Sequence, residues 1–397
     1  MRKEYIMKNT ENDFGIIVDR HNTDCVKWDY FDDDLPMWVA DMDFMVAPAI
    51  NEAILNRASH PVYGYTIVSD NLFESYIGWW KRRYGLEMSR DDMAYAMGVM
   101  PSISSMIRCL TKQGDEILIQ SPVYHVFYYV IEENNRKTLE NELVYDDGEY
   151  SIDFDDLDEK LSRVDLMILC NPQNPIGKIW SREELDRINE LCRKHDVILV
   201  SDEIHCDLTD PGKKYNPFIA DDNVIRCLSP SKSFNIAGFQ SSIVHTTNND
   251  LLEKIKTQLH VDNSDSCNVF ATTAVIAAYD ESEEWFEELR EVLYENKQIV
   301  KDYLACELPV VKLLECDATY LLWLDCSALN TSSNALSEFL RQNQGLFLSA
   351  GSDFGECGDS FLRMNIACHP DLLMQGLSKL KAGVMALNNI NRLSRNI

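Results

Sequence analysis

Three short apolar runs constrain this chain more than any other feature. Leu166-Met167-Ile168-Leu169-Cys170, Val197-Ile198-Leu199-Val200 and Val224-Ile225-Arg226-Cys227-Leu228 are strand-sized and nearly free of polar alternation. Such runs suit strands of a parallel sheet that is covered on both faces. Between the first two, Ser181 and Glu184 have the spacing of a helix-capping box, and Leu185, Ile188, Leu191 and Cys192 follow at helical intervals. Strand, helix and strand in that order predict parallel pairing through a crossover. Glu116-Ile117-Leu118-Ile119-Gln120 and a shorter run ending at Gly98 add further strands. The predicted fold is therefore α/β, with a mainly parallel sheet flanked by helices.

Each run ends at a polar residue able to do chemistry. Asn174, Asp202 and Lys232 stand just beyond the three strands, 28 and 30 residues apart. In open α/β sheets the carboxyl edge is where ligands bind. Taken singly, Asn174 reads as a turn residue between prolines, Asp202 as a helix cap and Lys232 as a solvated loop lysine. Together they bring an amide, a carboxylate and an amine to one edge. A lysine attacks an aldehyde only as the neutral amine, so Lys232 needs a desolvated or cationic setting to react near neutral pH. Met97-Gly98-Val99-Met100-Pro101-Ser102 adds a strand end, a glycine and a helix start with Pro101 as its first residue, a natural anion site. It has neither the Gly-Lys-Ser/Thr of a Walker loop nor a G-x-G-x-x-G. Tyr124 sits at the exit of the 116–120 strand.

One ligand fits the whole set. Pyridoxal 5′-phosphate requires a lysine for its aldehyde, a carboxylate for its ring nitrogen, donors for its phosphate and ring oxygen, and an aromatic face. At these residues the chain resembles the fold-type I, class I/II aminotransferase enzymes. The resemblance rests on Asn171-Pro172-Gln173-Asn174-Pro175-Ile176-Gly177, Asp202, Ser229-Pro230-Ser231-Lys232 and Phe361-Leu362-Arg363-Met364-Asn365. Pro36-Met37-Trp38-Val39-Ala40-Asp41-Met42-Asp43-Phe44 and Tyr63-Gly64-Tyr65-Thr66 resemble the MalY/PatB branch, whose members are mostly cystathionine β-lyases.

The resemblance implies that Lys232 holds the cofactor and moves the substrate Cα proton. It pairs Asp202 with the ring nitrogen and Asn174 with the ring oxygen, and stacks Tyr124 on the ring. Val99, Met100, Ser229 and Ser231 would surround the phosphate. Tyr63 would reach it from a second subunit, which implies a homodimer with shared sites. Arg363 would clamp the substrate α-carboxylate, with Ala40 and Tyr63 also on the substrate side. Without the resemblance, Arg363 in an apolar strand reads first as half of a structural ion pair and otherwise as a bidentate clamp for a carboxylate.

Length and periodicity divide the 397 residues into an N-terminal segment (1–48) joining a smaller domain, a large cofactor-binding domain (49–284), and an interdomain helix with a small α/β C-terminal domain (285–397). A long amphipathic stretch from Glu283 to Leu304 is the expected bridge. A net charge of −28 disfavours nucleic acid and anionic membrane surfaces. The acidic runs at 32–34 and 281–284 read as solvated faces. Twelve cysteines without a C-x-x-C, no apolar leader and no apolar stretch of about 18 residues predict a cytoplasmic protein with reduced thiols and no metal centre. The expected activity is β-elimination of sulfur amino acids. The alternatives are transamination on the same scaffold, or a non-catalytic interaction protein that keeps the fold.

Overall fold

In the computed structural model, which describes residues 12, 14–31 and 34–394, the apolar runs become the centre of a seven-stranded sheet. Its strands in chain order are β1 (Met93–Ala96), β2 (Glu116–Ile119), β3 (Lys137–Glu140), β4 (Leu166–Cys170), β5 (Ile198–Asp202), β6 (Val224–Leu228) and β7 (Ser242–His245). They lie in the order β1-β7-β6-β5-β4-β2-β3. All pairs are parallel except the two made by β7. β4 and β6 are buried at every position. That is why their sequences lack alternation: helices cover both faces, so no side chain meets water. The capping box forms as the sequence predicts. Ser181 accepts from the Glu184 amide and the Glu184 carboxylate accepts from the Ser181 amide, starting the helix Arg182–Lys194 that joins β4 to β5.

The second sheet is antiparallel and has four strands: Lys312–Leu313, Leu321–Asp325, Phe361–Asn365 and Ser349–Ala350, in that spatial order. Trp323 and Phe361 stack across it with ring centroids 5.1 Å apart. Helices Ser333–Gln344 and Pro370–Ser394 complete this part of the chain.

The helix Glu283–Glu307 touches residues around both sheets. Near its middle, Arg290 Nε donates to the carbonyl of Thr209, and Lys297 Nζ to Asp210 Oδ1 at 2.5 Å, both in the segment after β5. Its Asn296 amide donates to the carbonyls of Ile366 and Cys368, beyond the last strand of the small sheet. Asp32 and Asp33 of one acidic run lie outside the described residues. Asp34, read from sequence as a solvated acid, instead pairs with Arg341 at 3.0 Å and has a side chain only 14% exposed. A helix packed beside it supplies the cation that a run of acids cannot predict.

The N-terminal segment crosses between the sheets as a strap. Leu35–Pro36 pairs in parallel with Leu346–Phe347. From Met37 to Met42 every carbonyl is taken by a donor, from Asn365, Arg363, Tyr320, Lys232, Lys27, Asn235 or Arg20. An extended segment with no sheet of its own must satisfy its backbone through side chains, and this one does so at each residue. Asp41 and Asp43 anchor it further, against Arg20 at 2.8 and 2.7 Å, and Asp43 against the buried Lys27 at 2.8 Å. Among the described residues no helix is long and apolar enough to cross a membrane, and no cluster of acid, histidine and cysteine side chains could hold a metal ion.

Candidate active site

A cavity of about 220 Å³ opens at the carboxyl ends of β4, β5 and β6. Ala40, Val99, Met100, Tyr124, Asn174, Asp202, Ser231 and Lys232 all reach its wall. It therefore brings together most of the residues that the sequence picks out from segments far apart.

The helix at its anion end spans Val99–Leu110, two residues earlier than the expected start at Pro101. Gly98 precedes it with φ +112, a backbone shape that disfavours any side chain. Val99 and Met100 thus hold the first two amides, which have no partner within the helix. Pro101, in the first turn, lacks an N–H and costs nothing there. The serines of this helix face elsewhere. Ser102 donates to the Val99 carbonyl, Ser105 to Asp262, and Ser104 accepts from Arg108 and Asn134. The anion site is built of backbone, as helix starts allow.

Ser231 also lines the cavity. Ser229 lies behind: its hydroxyl donates to the Ser241 carbonyl at 2.7 Å and accepts from the Ser231 amide at 3.2 Å. It shapes the turn that carries Lys232 rather than the cavity wall.

Lys232 Nζ donates to the Ala40 carbonyl at 2.7 Å, and Tyr320 donates to the same oxygen at 3.0 Å. Burial pushes the Lys232 amine down to about 8; Asp41 and Asp202 oppose that shift, and Arg363 adds to it. This is the desolvated setting that a nucleophilic lysine needs. Asp202, the last residue of β5, is buried, and burial raises its carboxyl to about 7, against the Ile204 amide and Lys232. A cation placed beside it would restore the carboxylate, so Asp202 suits a partner that brings its own positive charge.

Asn174 Oδ1 accepts from Arg363 Nη1 at 3.2 Å. Its Nδ2 makes no hydrogen bond among the described residues and remains available at the cavity wall. Tyr124 lines this cavity and a second one beside it. Its phenol is raised chiefly by burial, so it stays protonated.

Arg363 is 3% exposed on the strand Phe361–Asn365. Its guanidinium donates to the Trp38 carbonyl at 2.7 Å and lies 4.7 Å from the Phe354 ring centroid. Among the described residues no carboxylate contacts it, and Asp353, on the wall of the same second cavity, acts on it only from a distance. Burial lowers it to about 10. A buried cation with no carboxylate in contact is costly unless a ligand supplies the anion.

Tyr63 stands apart. The residue is 56% exposed, and its hydroxyl donates to the Ala58 carbonyl at 3.1 Å. Val62, Tyr65 and Ile67 around it are exposed as well.

Sequence reasoning passed over His205, Gln240 and Ser241, which also line the cavity. His205 is buried with Nδ1 unpartnered among the described residues, and burial lowers it to about 3, so it is neutral. Its position three residues after Asp202 was the available signal. Ser241 immediately precedes β7, and no pattern ties that strand to the site.

These residues fit pyridoxal 5′-phosphate. Two free amides and Ser231 offer donors to a phosphate, and Asp202 awaits a cation. Lys232 is held near neutrality, and Tyr124 supplies an aromatic face.

The family description Aminotransferase class I and II matches residues 39–379. The chain belongs to that family. Its relatives include cystathionine beta-lyase PatB of Bacillus subtilis, 39% identical over 92% of this chain and 98% of that one. Protein MalY of Escherichia coli is 33% identical over 94% and 99%. Among solved structures, cystalysin from Treponema denticola, which contains pyridoxal 5′-phosphate, superposes with a TM-score of 0.92 at 30% identity, covering 95% of this chain and all of the other. The family match thus spans both sheets and the strap from Val39 onward.

Proposed function

We propose that this protein is a pyridoxal 5′-phosphate-dependent carbon–sulfur lyase that splits cystathionine or related cysteine thioethers into thiol, pyruvate and ammonia. The observation that carries the reading is Lys232: a desolvated amine between the Ala40 carbonyl and the buried Asp202, within a family whose relatives here are named cystathionine beta-lyase. Bound cofactor supplies an aldehyde for the lysine and a ring that draws electrons from the substrate Cα.

The chain's own residues do the rest. Lys232 holds the cofactor, and Asp202 keeps the ring-nitrogen proton in place. Asn174 donates to the ring oxygen, Tyr124 covers one ring face, and Val99, Met100 and Ser231 hold the phosphate. Ser229 fixes the turn behind them. Arg363 takes the substrate α-carboxylate beside Ala40. As a neutral amine, Lys232 would remove the substrate Cα proton. The Cβ–S bond then breaks, the sulfur leaves as thiolate and gains a proton, and water converts the three-carbon remainder to pyruvate and ammonia.

The protein works as a homodimer in this proposal. The exposed loop bearing Tyr63 docks on a second copy, where Tyr63 reaches the neighbouring phosphate and substrate. The N-terminal segment 1–48 joins the smaller domain, 285–397 supplies the interdomain helix and the rest of that domain, 49–284 is the large cofactor-binding domain, and the protein is cytoplasmic. Product analysis tests the activity: L-cystathionine should yield homocysteine and pyruvate in equal amounts. A product set containing a keto acid that keeps the sulfur would mean transamination instead.

A further inference from the structure

A second cavity, of about 420 Å³, adjoins the first and shares Ala40, Tyr124 and Lys232 with it. Arg363 lies on its wall, so under the lyase reading this is where the substrate sits, α-carboxylate on Arg363. Trp38, Val39, Phe347 and Ala350 give it apolar lining. Glu338 and Arg341 line it too. They are three residues apart on the helix Ser333–Gln344, and so share one helix face.

Arg341 is held in one orientation. Its Nε donates to Asp34 Oδ2 at 3.0 Å, and its guanidinium carbon lies 3.8 Å from the Phe31 ring centroid. Its Nη1 is 3.7 Å from Glu338 Oε2, too far for a hydrogen bond. Neither Nη atom makes a hydrogen bond among the described residues. An exposed helical ion pair needs no such fixing and contributes little to stability. A cation with a fixed plane and an acid beside it match the carboxylate and ammonium of an amino-acid head. The side chains remain 30% and 53% exposed, so a ligand can reach both.

We propose that Glu338 and Arg341 form a distal subsite for the zwitterionic head of the leaving thiol, selecting thioethers that carry an amino-acid group at each end. This rests on the lyase reading for the identity of the near end. L-Cystathionine meets the requirement, and S-ethyl-L-cysteine has the same near half with no distal charges.

The test compares the two compounds on the holoenzyme, using kcat/KM and the apparent Kd from the change in cofactor absorption. In Arg341→Gln and in Glu338→Gln, the preference for L-cystathionine over S-ethyl-L-cysteine should fall about tenfold, the low end for a charged hydrogen bond that is partly exposed. A preference within twofold of wild type in both variants would overturn the subsite. So would an equal loss for both compounds, which marks a structural role. Glu338 is exposed enough that its variant will fold if Arg341→Gln does not. Should the wild type bind both compounds and eliminate neither, the lyase reading fails, while the Kd ratios still decide the subsite.

Discussion

Arg363→Lys separates a ligand clamp from a structural cation. The arginine is buried, spends one Nη on Asn174 and the other on the Trp38 carbonyl, and has no carboxylate partner among the described residues. Lysine keeps a positive charge in the same desolvated place but loses the planar fork. A carboxylate gripped by two parallel bonds would then be held by one. Losing one charged hydrogen bond in a desolvated site costs about 1.5–3 kcal/mol, so kcat/KM should fall roughly 10- to 100-fold. The fall should lie mainly in KM, because the carboxylate is gripped in ground state and transition state alike. Steady-state kinetics with L-cystathionine, together with the cofactor's visible absorption, reads both effects. Cofactor should remain bound, since Lys232, Asp202 and the helix start at Val99 are untouched. An unchanged KM, or loss of cofactor with no kinetic change in the remainder, would refute the clamp.

Other consequences concern neighbouring groups. Asp202→Asn should cut turnover by roughly 10- to 100-fold while Lys232 still takes a covalent label on borohydride reduction with cofactor, located by peptide mapping; label on another lysine would contradict the assignment. The Lys232 amine is lowered to about 8, so in cofactor-free protein it is mostly protonated below that pH and mostly neutral above it. Cofactor capture should therefore accelerate about tenfold per unit as pH rises toward 8 and level off beyond, measured by stopped-flow absorption; a rate independent of pH from 6 to 8 would contradict it. Asn365→Ala removes the side chain that donates to the Val39 and Asp41 carbonyls and accepts from the Ala367 amide; Asp41 keeps Lys27, while the Val39 carbonyl and the Ala367 amide are left unpaired. Denaturant unfolding should show a loss of about 2–4 kcal/mol, and a loss below about 1 kcal/mol would mean the strap is held elsewhere.

Much of the sheet was legible because burial on both faces leaves a plain mark. β4, β5 and β6 are mostly apolar runs that end where chemistry begins, and the Ser181–Glu184 box forms as its spacing predicts. The site's strand-end residues were legible for the same reason. The helix start at Val99 was misplaced by two residues because proline is tolerated anywhere in a first turn. The serines beyond it turn away from the site, a direction that sequence cannot show. The strap's role was invisible, since its hold on Lys232 runs through the Ala40 carbonyl, a backbone atom that every residue possesses. Asp34 was misread because its partner, Arg341, is more than three hundred residues away.

The central claim is that Lys232 works in a site that expels sulfur instead of exchanging amino groups. It is tested most directly by counting pyruvate formed per active site from excess L-cystathionine with no keto acid present. Elimination returns the cofactor to Lys232 after each cycle, so pyruvate should accumulate over many turnovers, with homocysteine in equal amount. Transamination would stop near one equivalent per site and resume only when a keto acid is added, and that result would contradict the account.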